Sequence, residues 1–138
     1  MNLLKLSSQN QKRLYGLNKD FLNLINLYNQ KKLPSKILLS GPKGIGKSTL
    51  SYHFINYIFS KKDDHKYDLK NFEINADNIS YKLILNKTHP NLYLIDLLDE
   101  KKTIEISQIR QMIQFANKSS FNNNEKIILI DNVEKLNL

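Results

Sequence analysis

Residues 41–48 of this 138-residue chain read Gly41-Pro42-Lys43-Gly44-Ile45-Gly46-Lys47-Ser48. They fit the pattern G-x-x-x-x-G-K-[ST] at every defined position. A loop that wraps around a triphosphate must turn consecutive backbone N–H groups inward, and Gly44 and Gly46 allow backbone angles that a β-carbon resists. A helix that begins near Lys47 would add its positive N-terminal end and its unpaired amides. The motif therefore predicts a phosphate-binding loop, or P-loop.

The polar side chains of the motif have expected roles toward a bound nucleotide. Lys47 should place its ammonium on the β- and γ-phosphates of ATP, and Ser48 should offer its hydroxyl to Mg²⁺, which prefers hard oxygen ligands. The dinucleotide fingerprint G-x-G-x-x-G does not fit, because residue 49 is Thr. An ordinary glycine-rich turn between a strand and a helix is the other alternative. The predicted nucleotide-binding residues are Gly41, Pro42, Lys43, Gly44, Ile45, Gly46, Lys47, Ser48 and Thr49.

The sequence on both sides of the loop predicts the strand and the helix that such a motif needs. Residues 36–40 form a short apolar run closed by Gly-Pro, which is typical of a buried strand. Residues 47–59 have the apolar spacing of a helix, with His53 expected on its flank. An earlier helix is predicted from about residue 14 to residue 28. The inward stripe of the helix at 47–59 is predicted to be Leu50, Phe54, Tyr57 and Ile58.

The second half of the chain alternates strands and a helix in the same way. Residues 92–95 and 126–130 are short apolar runs, and each predicts a strand. Residues 61–70 predict a loop, whereas residues 71–86 are ambiguous. Strands that alternate with helices predict a parallel sheet with helices on its faces. Between the two runs, Ser107 is expected to cap a helix that buries Ile109, Met112, Ile113 and Ala116.

The run at residues 126–130 is followed by Asp131, at the position where a P-loop protein places the acidic partner of its Mg²⁺. Ser48 and Asp131 are therefore the predicted metal residues. Hydrolysis also needs a group that orients or deprotonates the attacking water. Many NTPases have Glu directly after this Asp, but here the residue is Asn132, which cannot accept a proton, and Glu134 lies further on. The sequence predicts binding without efficient hydrolysis, and it identifies no catalytic residue.

Composition excludes several other classes of protein. Hydrophobic residues make up 41% and charged residues 25%, as in an ordinary globular domain, and the length suits one domain at most. No apolar run approaches the roughly 20 residues of a membrane span. The chain has no Cys, which excludes disulfide scaffolds and thiolate zinc sites. The net charge of +8 permits nucleic-acid partners, but 19 of the 21 cations are Lys, so a general Lys/Asn bias also explains it.

Several segments together resemble those of the bacterial clamp-loader subunits of DNA polymerase III, and of the delta-prime type in particular. One is Leu14-Tyr15-Gly16, followed by the apolar helix and the loop. Residues 88–93, Thr-His-Pro-Asn-Leu-Tyr, are similar to the family's "HPD-hydrophobic" strand. Residues 104–110 resemble the opening of its next helix, and residues 126–137 resemble its second Walker motif. The resemblance covers nearly the whole chain.

This resemblance implies a fold as well as a family. The implied class is α/β: a P-loop NTPase of the AAA+ type, with three layers and a parallel sheet that is incomplete at the C-terminal end. In AAA+ proteins the strand order is 5-1-4-3-2, so the strand after the second Walker motif lies between the first and the third. Residues 1–138 are therefore expected to be the N-terminal part of an AAA+ nucleotide-binding domain, without strands 4 and 5 and without the lid and collar domains. The zinc module of many relatives is not expected, because the chain has no Cys.

The resemblance also implies partners and a location. These are the other clamp-loader subunits and the sliding clamp in a hetero-oligomer, with primed DNA reached through the complex, no membrane, and the cytoplasm as the compartment. The implied role is clamp loading in DNA replication, within a holoenzyme that has DNA-directed DNA polymerase activity. Two alternatives stay open: a free-standing AAA+ motor ATPase or a helicase-loader-type P-loop ATPase. A small-molecule kinase would need Arg residues over the phosphates, and the chain has only Arg13 and Arg110.

Overall fold

Residues 7–98 and 100–136 are described by the structure, a computed structural model of the chain. The chain divides into two compact units, Met1–Lys87 and Thr88–Leu138. The first is built mainly from helices, and the second combines two strands with one long helix. Within the described ranges, none of the helices has both the length and the apolar run that spanning a bilayer requires.

The first unit is arranged around one enclosed helix. Its helices are α1 (Asn18–Asn29), α2 (Lys47–Phe59) and α3 (Ile79–Leu85). In α2, residues 52–56 are buried one after another. Five successive residues cover more than one full turn of a helix, so the middle of α2 is surrounded by the rest of the unit instead of facing solvent on one side.

An aromatic cluster forms the centre of this unit. Phe21 of α1 is fully buried. Around it lie the rings of His53, Tyr57, Tyr67 and Phe72, with centroids 5.1–6.4 Å from that of Phe21. Three of these contacts are edge-to-face, the arrangement that aromatic quadrupoles favour. The cluster thus joins α1 and α2 to the segment after α2.

A buried pair of amides connects α2 to α3. The side chains of Asn56 and Asn78 exchange two hydrogen bonds, each of 3.2 Å. Asn78 also caps α3, because its Oδ1 accepts the backbone N–H of Tyr81 at 2.6 Å. Both amide groups are fully buried, and each satisfies the other's polar atoms, so the pair fixes where α3 begins relative to α2.

The second unit contains a parallel pair of strands covered by a helix. The elements are β1 (Leu92–Ile95), α4 (Ile106–Asn117) and β2 (Ile127–Ile130). The strands pair in register from Leu92↔Ile127 to Ile95↔Ile130. Helix α4 packs on β1, where the rings of Tyr93 and Phe115 lie 5.4 Å apart.

Two polar side chains fix the connections of this unit. Asn91 is buried, and its amide donates to the carbonyl of Phe121 at 3.0 Å and accepts the N–H of Phe121 at 2.8 Å. It thereby pairs with the turn as a backbone peptide would. The Lys126 ammonium donates to the carbonyls of Phe115 and Lys118, which favours the C-terminal end of α4.

Most of the predicted elements are confirmed. Helix α2 and strands β1 and β2 have the predicted positions, and the strands are parallel as predicted. Helix α1 is confirmed, but it begins at Asn18 and not near residue 14. The ambiguous stretch at 71–86 contains α3. Of the inward stripe of α2, Leu50, Phe54 and Ile58 are buried and Tyr57 is half-buried.

The strand predicted at residues 36–40 is wrong. These residues form no strand, and Ile37 and Leu38 have 46% and 75% of their surface exposed. The physical reason is pairing: a strand is stable only when a neighbour takes up its backbone N–H and C=O groups. Within the described residues, the sheet consists of β1 and β2 alone. An apolar run therefore does not become a strand here by its composition alone.

The predicted cap and buried face of α4 also need correction. The residue before the helix is Glu105, and Ser107 lies inside the helix. The side chain of Gln108 accepts the N–H of Glu105 at 2.9 Å, the bond of a capping box. The side of α4 that carries Phe115 meets β1, and the predicted apolar stripe is covered only in part. Ile109 and Met112 are half-buried, and Ile113 and Ala116 are exposed.

Replacing Asn78 should test the amide pair. We expect Asn78→Ala to lower the free energy of unfolding by about 2–3 kcal/mol, because it removes the cap of α3 and leaves the buried amide of Asn56 without its partner. Urea denaturation followed by circular dichroism measures the change. Asn86→Ala, at the exposed opposite end of α3, is the control and should change it by less than about 0.5 kcal/mol. Equal effects of the two variants would contradict this account.

Candidate functional site

The backbone of the glycine-rich loop, residues 41–48, has the conformation expected of its glycines. Gly44 and Gly46 have φ values of 83° and 101°, in the left-handed region. Gly46 immediately precedes α2, so the chain enters the helix directly from a left-handed residue. The first N–H groups of a helix have no partners inside it, and this turn brings the loop to that end of α2.

The ammonium of Lys47 bends back across the loop. Its Nζ donates to the carbonyls of Gly41 at 2.6 Å and of Pro42 at 3.1 Å. Both acceptors are neutral, whereas an anionic oxygen would add a charge–charge attraction to the hydrogen bond. A phosphate group at the loop would therefore compete well for this cation. Residues 41–45 are exposed, and residues 46–49 are half-buried at the start of α2.

A small cavity adjoins the loop inside the first unit. Its volume is about 160 Å³. One side is formed by Gly46 and Thr49, and the other by residues 11–17, here called the wall segment. The wall residues that line it are Gln11, Arg13, Leu14, Tyr15 and Leu17.

The rim of the cavity combines an aromatic ring with a cation. Tyr15 has 67% of its surface exposed. The Arg13 guanidinium lies 5.6 Å from the centroid of the Tyr15 ring, within the range of a cation–π contact. A planar, polar heterocycle is the kind of group that this rim could hold by stacking and hydrogen bonding.

The carboxyl ends of β1 and β2 bring three polar residues together in the second unit. Asp96 follows β1, and Asp131 and Asn132 follow β2. Asn132 has φ 52°, and its side-chain amide donates to Oδ1 of Asp96 at 2.7 Å. The carboxylate of Asp131 accepts the N–H of Asn132 at 2.9 Å. Within the residues that the structure covers, no group of three His, Asp or Glu side chains could by itself hold a metal ion.

Sequence reasoning missed three features of this part of the molecule. Asp96 carries the same signal as Asp131, an acidic residue directly after an apolar run, and it could have been found in that way. The wall segment forms its side of the cavity through the folding of the first unit, which no local pattern reveals. His53 was expected on the flank of α2, but it is fully buried. That expectation was wrong because the middle of α2, residues 52–56, is enclosed on all sides.

The second unit therefore places acidic and amide groups at the end of a parallel sheet, and the first places a left-handed glycine turn before a helix. These are features of a small α/β protein with a two-stranded parallel sheet. A family model described as "DNA polymerase III, delta subunit" matches residues 17–138. The chain belongs to this family, which makes it a clamp-loader-type subunit of DNA polymerase III with a role related to DNA replication. No curated protein matches the sequence.

Alanine substitution separates the two kinds of glycine in the loop. At Gly46, φ is +101° and a new β-carbon would lie 3.4 Å from a side-chain carbon of Leu17. We expect Gly46→Ala to destabilise the protein by about 1–2 kcal/mol, the cost of a left-handed backbone for a residue with a β-carbon. Thermal and urea denaturation measure this.

Gly41→Ala is the matched control. The backbone of Gly41 is not left-handed, and the nearest atom to a new β-carbon is 3.6 Å away, an ordinary contact. Its stability should change by less than about 0.5 kcal/mol. If Gly41→Ala destabilised the protein as much as Gly46→Ala, the left-handed turn would not be the source of the effect.

Proposed function

We propose that the chain is a delta-prime-type subunit of the clamp loader. It binds Mg·ATP through an AAA+-type P-loop and acts in loading the sliding clamp, with little or no hydrolysis of its own. The observation that carries the proposal is the loop of residues 41–48: its sequence fits the P-loop pattern, and its backbone turns through left-handed glycines into α2. Family membership supports the clamp-loader role.

In this proposal the loop holds the phosphates of the nucleotide. The backbone N–H groups of residues 43–49 and the positive end of α2 attract the anionic oxygens. Lys47 exchanges its two carbonyl acceptors for phosphate oxygens, and Ser48 contributes its hydroxyl to the shell of Mg²⁺. Mg²⁺ neutralises charge between the phosphates when it is bound. The fit of this chain to the cofactor rests on the left-handed glycines and on the reach of the Lys47 ammonium across the loop.

The cavity beside the loop is the proposed site of the nucleobase. It shares Gly46 and Thr49 with the loop, so one ligand can reach both. Its volume of about 160 Å³ suits one heterocycle and not a whole nucleotide. Tyr15 offers an aromatic face, and Arg13 offers guanidinium donors.

Asp131 is proposed to contact the shell of Mg²⁺, as the strand-end acid of a second Walker motif does. Asn132 occupies the next position, where a general base would stand. Its amide donates to Asp96, and an amide cannot take a proton from water. This supports a subunit that binds the nucleotide without turning it over efficiently, and such a subunit would act by assembly instead of as a motor.

The proposed partners are the other clamp-loader subunits and the sliding clamp, with primed DNA contacted through the complex in the cytoplasm. The DNA-directed DNA polymerase activity belongs to the assembled holoenzyme. A free-standing motor ATPase would instead hydrolyse ATP without other subunits, and a helicase loader would bind DNA without them.

Substitution of Lys47 tests nucleotide binding. We expect Lys47→Ala to weaken the binding of Mg·ATP by about tenfold or more, because a hydrogen bond to a charged group contributes about 1.5–3 kcal/mol. Isothermal titration calorimetry measures the affinity, and the control is Lys36→Ala at an exposed position before the loop. A steady-state assay should find little ATP turnover in the unaltered protein. Rapid turnover that Lys47→Ala abolishes would overturn the proposed lack of hydrolysis.

Assembly can be tested independently of the nucleotide. When the protein is mixed with the other clamp-loader subunits of its organism, we expect a stoichiometric hetero-oligomer in size-exclusion chromatography with light scattering. An unrelated P-loop ATPase of similar mass serves as the control. If the protein does not bind these subunits but binds duplex DNA by itself, with an affinity that depends steeply on salt, the result would favour the helicase-loader alternative.

A further inference from the structure

His53 is a buried titratable side chain to which the proposed function assigns no role. It lies on α2, and it is completely buried. Its Nε2 is 2.8 Å from the carbonyl oxygen of Gln11, and its Nδ1 is 2.7 Å from the hydroxyl of Tyr67. Both ring nitrogens are thus engaged by groups far away in the sequence.

The chemistry of these two partners determines the tautomer of the ring. A carbonyl oxygen only accepts hydrogen bonds, so Nε2 must carry the proton and donate to Gln11. In the neutral ring Nδ1 is then an acceptor, and Tyr67 donates its hydroxyl proton to it. Burial raises the pKa of Tyr67, and the nearby carboxylates of Asp68 and Glu73 raise it further, so this hydroxyl stays protonated and remains a donor.

The Gln11 carbonyl belongs to the wall segment of the cavity. The same segment is held on another side by two backbone hydrogen bonds. The N–H of Leu14 donates to Phe72 at 3.0 Å, and the N–H of Ile74 donates to Lys12 at 2.8 Å. Residues 72–74 therefore act as a short neighbouring strand, while His53 supplies the bond from α2.

The two sides of the cavity are consequently tied together through one ring. Gly46 and Thr49 lie at the start of α2 and form one side. His53 lies about one turn beyond Thr49 on the same helix, and it bonds to Gln11 at the beginning of the other side. The width of the cavity depends on how firmly the wall segment is held to α2.

We propose that neutral His53 is a positioning residue that holds the wall segment against α2, and that protonation of its ring loosens the wall and weakens nucleotide binding at acidic pH. The effect on binding rests on the proposed function. The effect on the wall segment does not, and it can be measured in the free protein.

The surroundings of the ring oppose a positive charge. Desolvation by burial lowers the pKa of His53, and the hydrogen bond to Gln11 offsets only part of this. From α1, the ring faces Phe21, and from the segment after α2 it faces Tyr67. The titratable groups on that side are Tyr67 itself, with Asp68 and Glu73 near its hydroxyl. A proton on Nδ1 would also remove the acceptor of the Tyr67 hydroxyl proton.

The sign of the pH dependence follows from linkage. Because the folded pKa of His53 lies below the unfolded value of 6.5, the unfolded chain binds more protons in the interval between the two values. The stability of the arrangement is therefore complete above pH 6.5 and is lost as the pH falls through the folded pKa. Opening of the wall segment exposes His53 to water, so this opening should also become more favourable as the pH falls.

Three variants and two measurements test the proposal. His53→Gln keeps a donor for Gln11 and an acceptor for Tyr67 but cannot be protonated. His53→Leu fills the site without polar groups. His65→Gln removes an exposed histidine and is the matched control. The first measurement is the affinity for Mg·ATP from about pH 8 to about pH 5.5, and the second is hydrogen exchange of residues 11–17 without nucleotide, corrected for the intrinsic effect of pH.

We expect the unaltered protein and His65→Gln to lose affinity at the acidic end by about fivefold more than His53→Gln does. Protonation of ATP affects the affinity of every variant equally, including His53→Gln. The difference between the pH profiles is therefore caused by residue 53. We expect His53→Leu to bind about tenfold more weakly at every pH. Protection of residues 11–17 should fall at acidic pH in the unaltered protein and not in His53→Gln.

The outcomes separate the two proposals. If no protein binds Mg·ATP at any pH, the proposed function fails, and the exchange of residues 11–17 still decides whether His53 holds the wall. If the unaltered protein and His53→Gln show parallel pH profiles in both measurements, the positioning role is overturned. If His53→Leu does not fold, the comparison of His53→Gln with His65→Gln gives the decision alone.

Discussion

The enclosure of α2 is the constraint on which the first unit depends. A helix with solvent on one side can point its polar side chains outward, but the middle of α2, residues 52–56, has no such side, and each polar group there needs a partner inside the protein. Asn56 finds Asn78 before α3, and His53 finds Gln11 and Tyr67. Within the described residues, no buried side-chain nitrogen or oxygen lacks a hydrogen-bond partner. The polar groups of one helix thus hold the segments before and after it.

The fold could be predicted from the sequence wherever the signal was local. The apolar runs of β1 and β2 and the spacing in α2 gave the positions of these elements, because strand and helix patterns are visible within a few residues. Residues 36–40 carry the same kind of run as β2, but whether a run becomes a strand depends on a neighbour elsewhere in the chain. The predicted buried face of α4 was wrong for the same reason, since the face that is covered depends on where β1 and Phe115 meet.

In the candidate site, too, the features with a local signal could be predicted and those that depend on distant residues could not. The loop of residues 41–48 could be read directly, because eight consecutive residues specify its left-handed turn and its lysine. The cavity could not, since residues 11–17 reach the start of α2 only through folding. Asn132 could be recognised as an amide directly after a strand-end acid, but its bond to Asp96 depends on the parallel register of β1 and β2. A motif consists of residues that are consecutive in the sequence and can be recognised there. A pocket forms only when residues that are distant in the sequence pack together.

At high protein concentration, the exposed run at residues 36–40 should make the chain prone to self-association. Leu38 and Ile37 present apolar side chains to water, and exposed apolar side chains favour association between molecules. The flanking residues limit this tendency, because Pro34 and Pro42 cannot donate a backbone hydrogen bond and Lys36 adds a positive charge. Between these flanking residues lie only three apolar side chains, at residues 37–39, which a covering β-strand of ordinary length would be enough to shield.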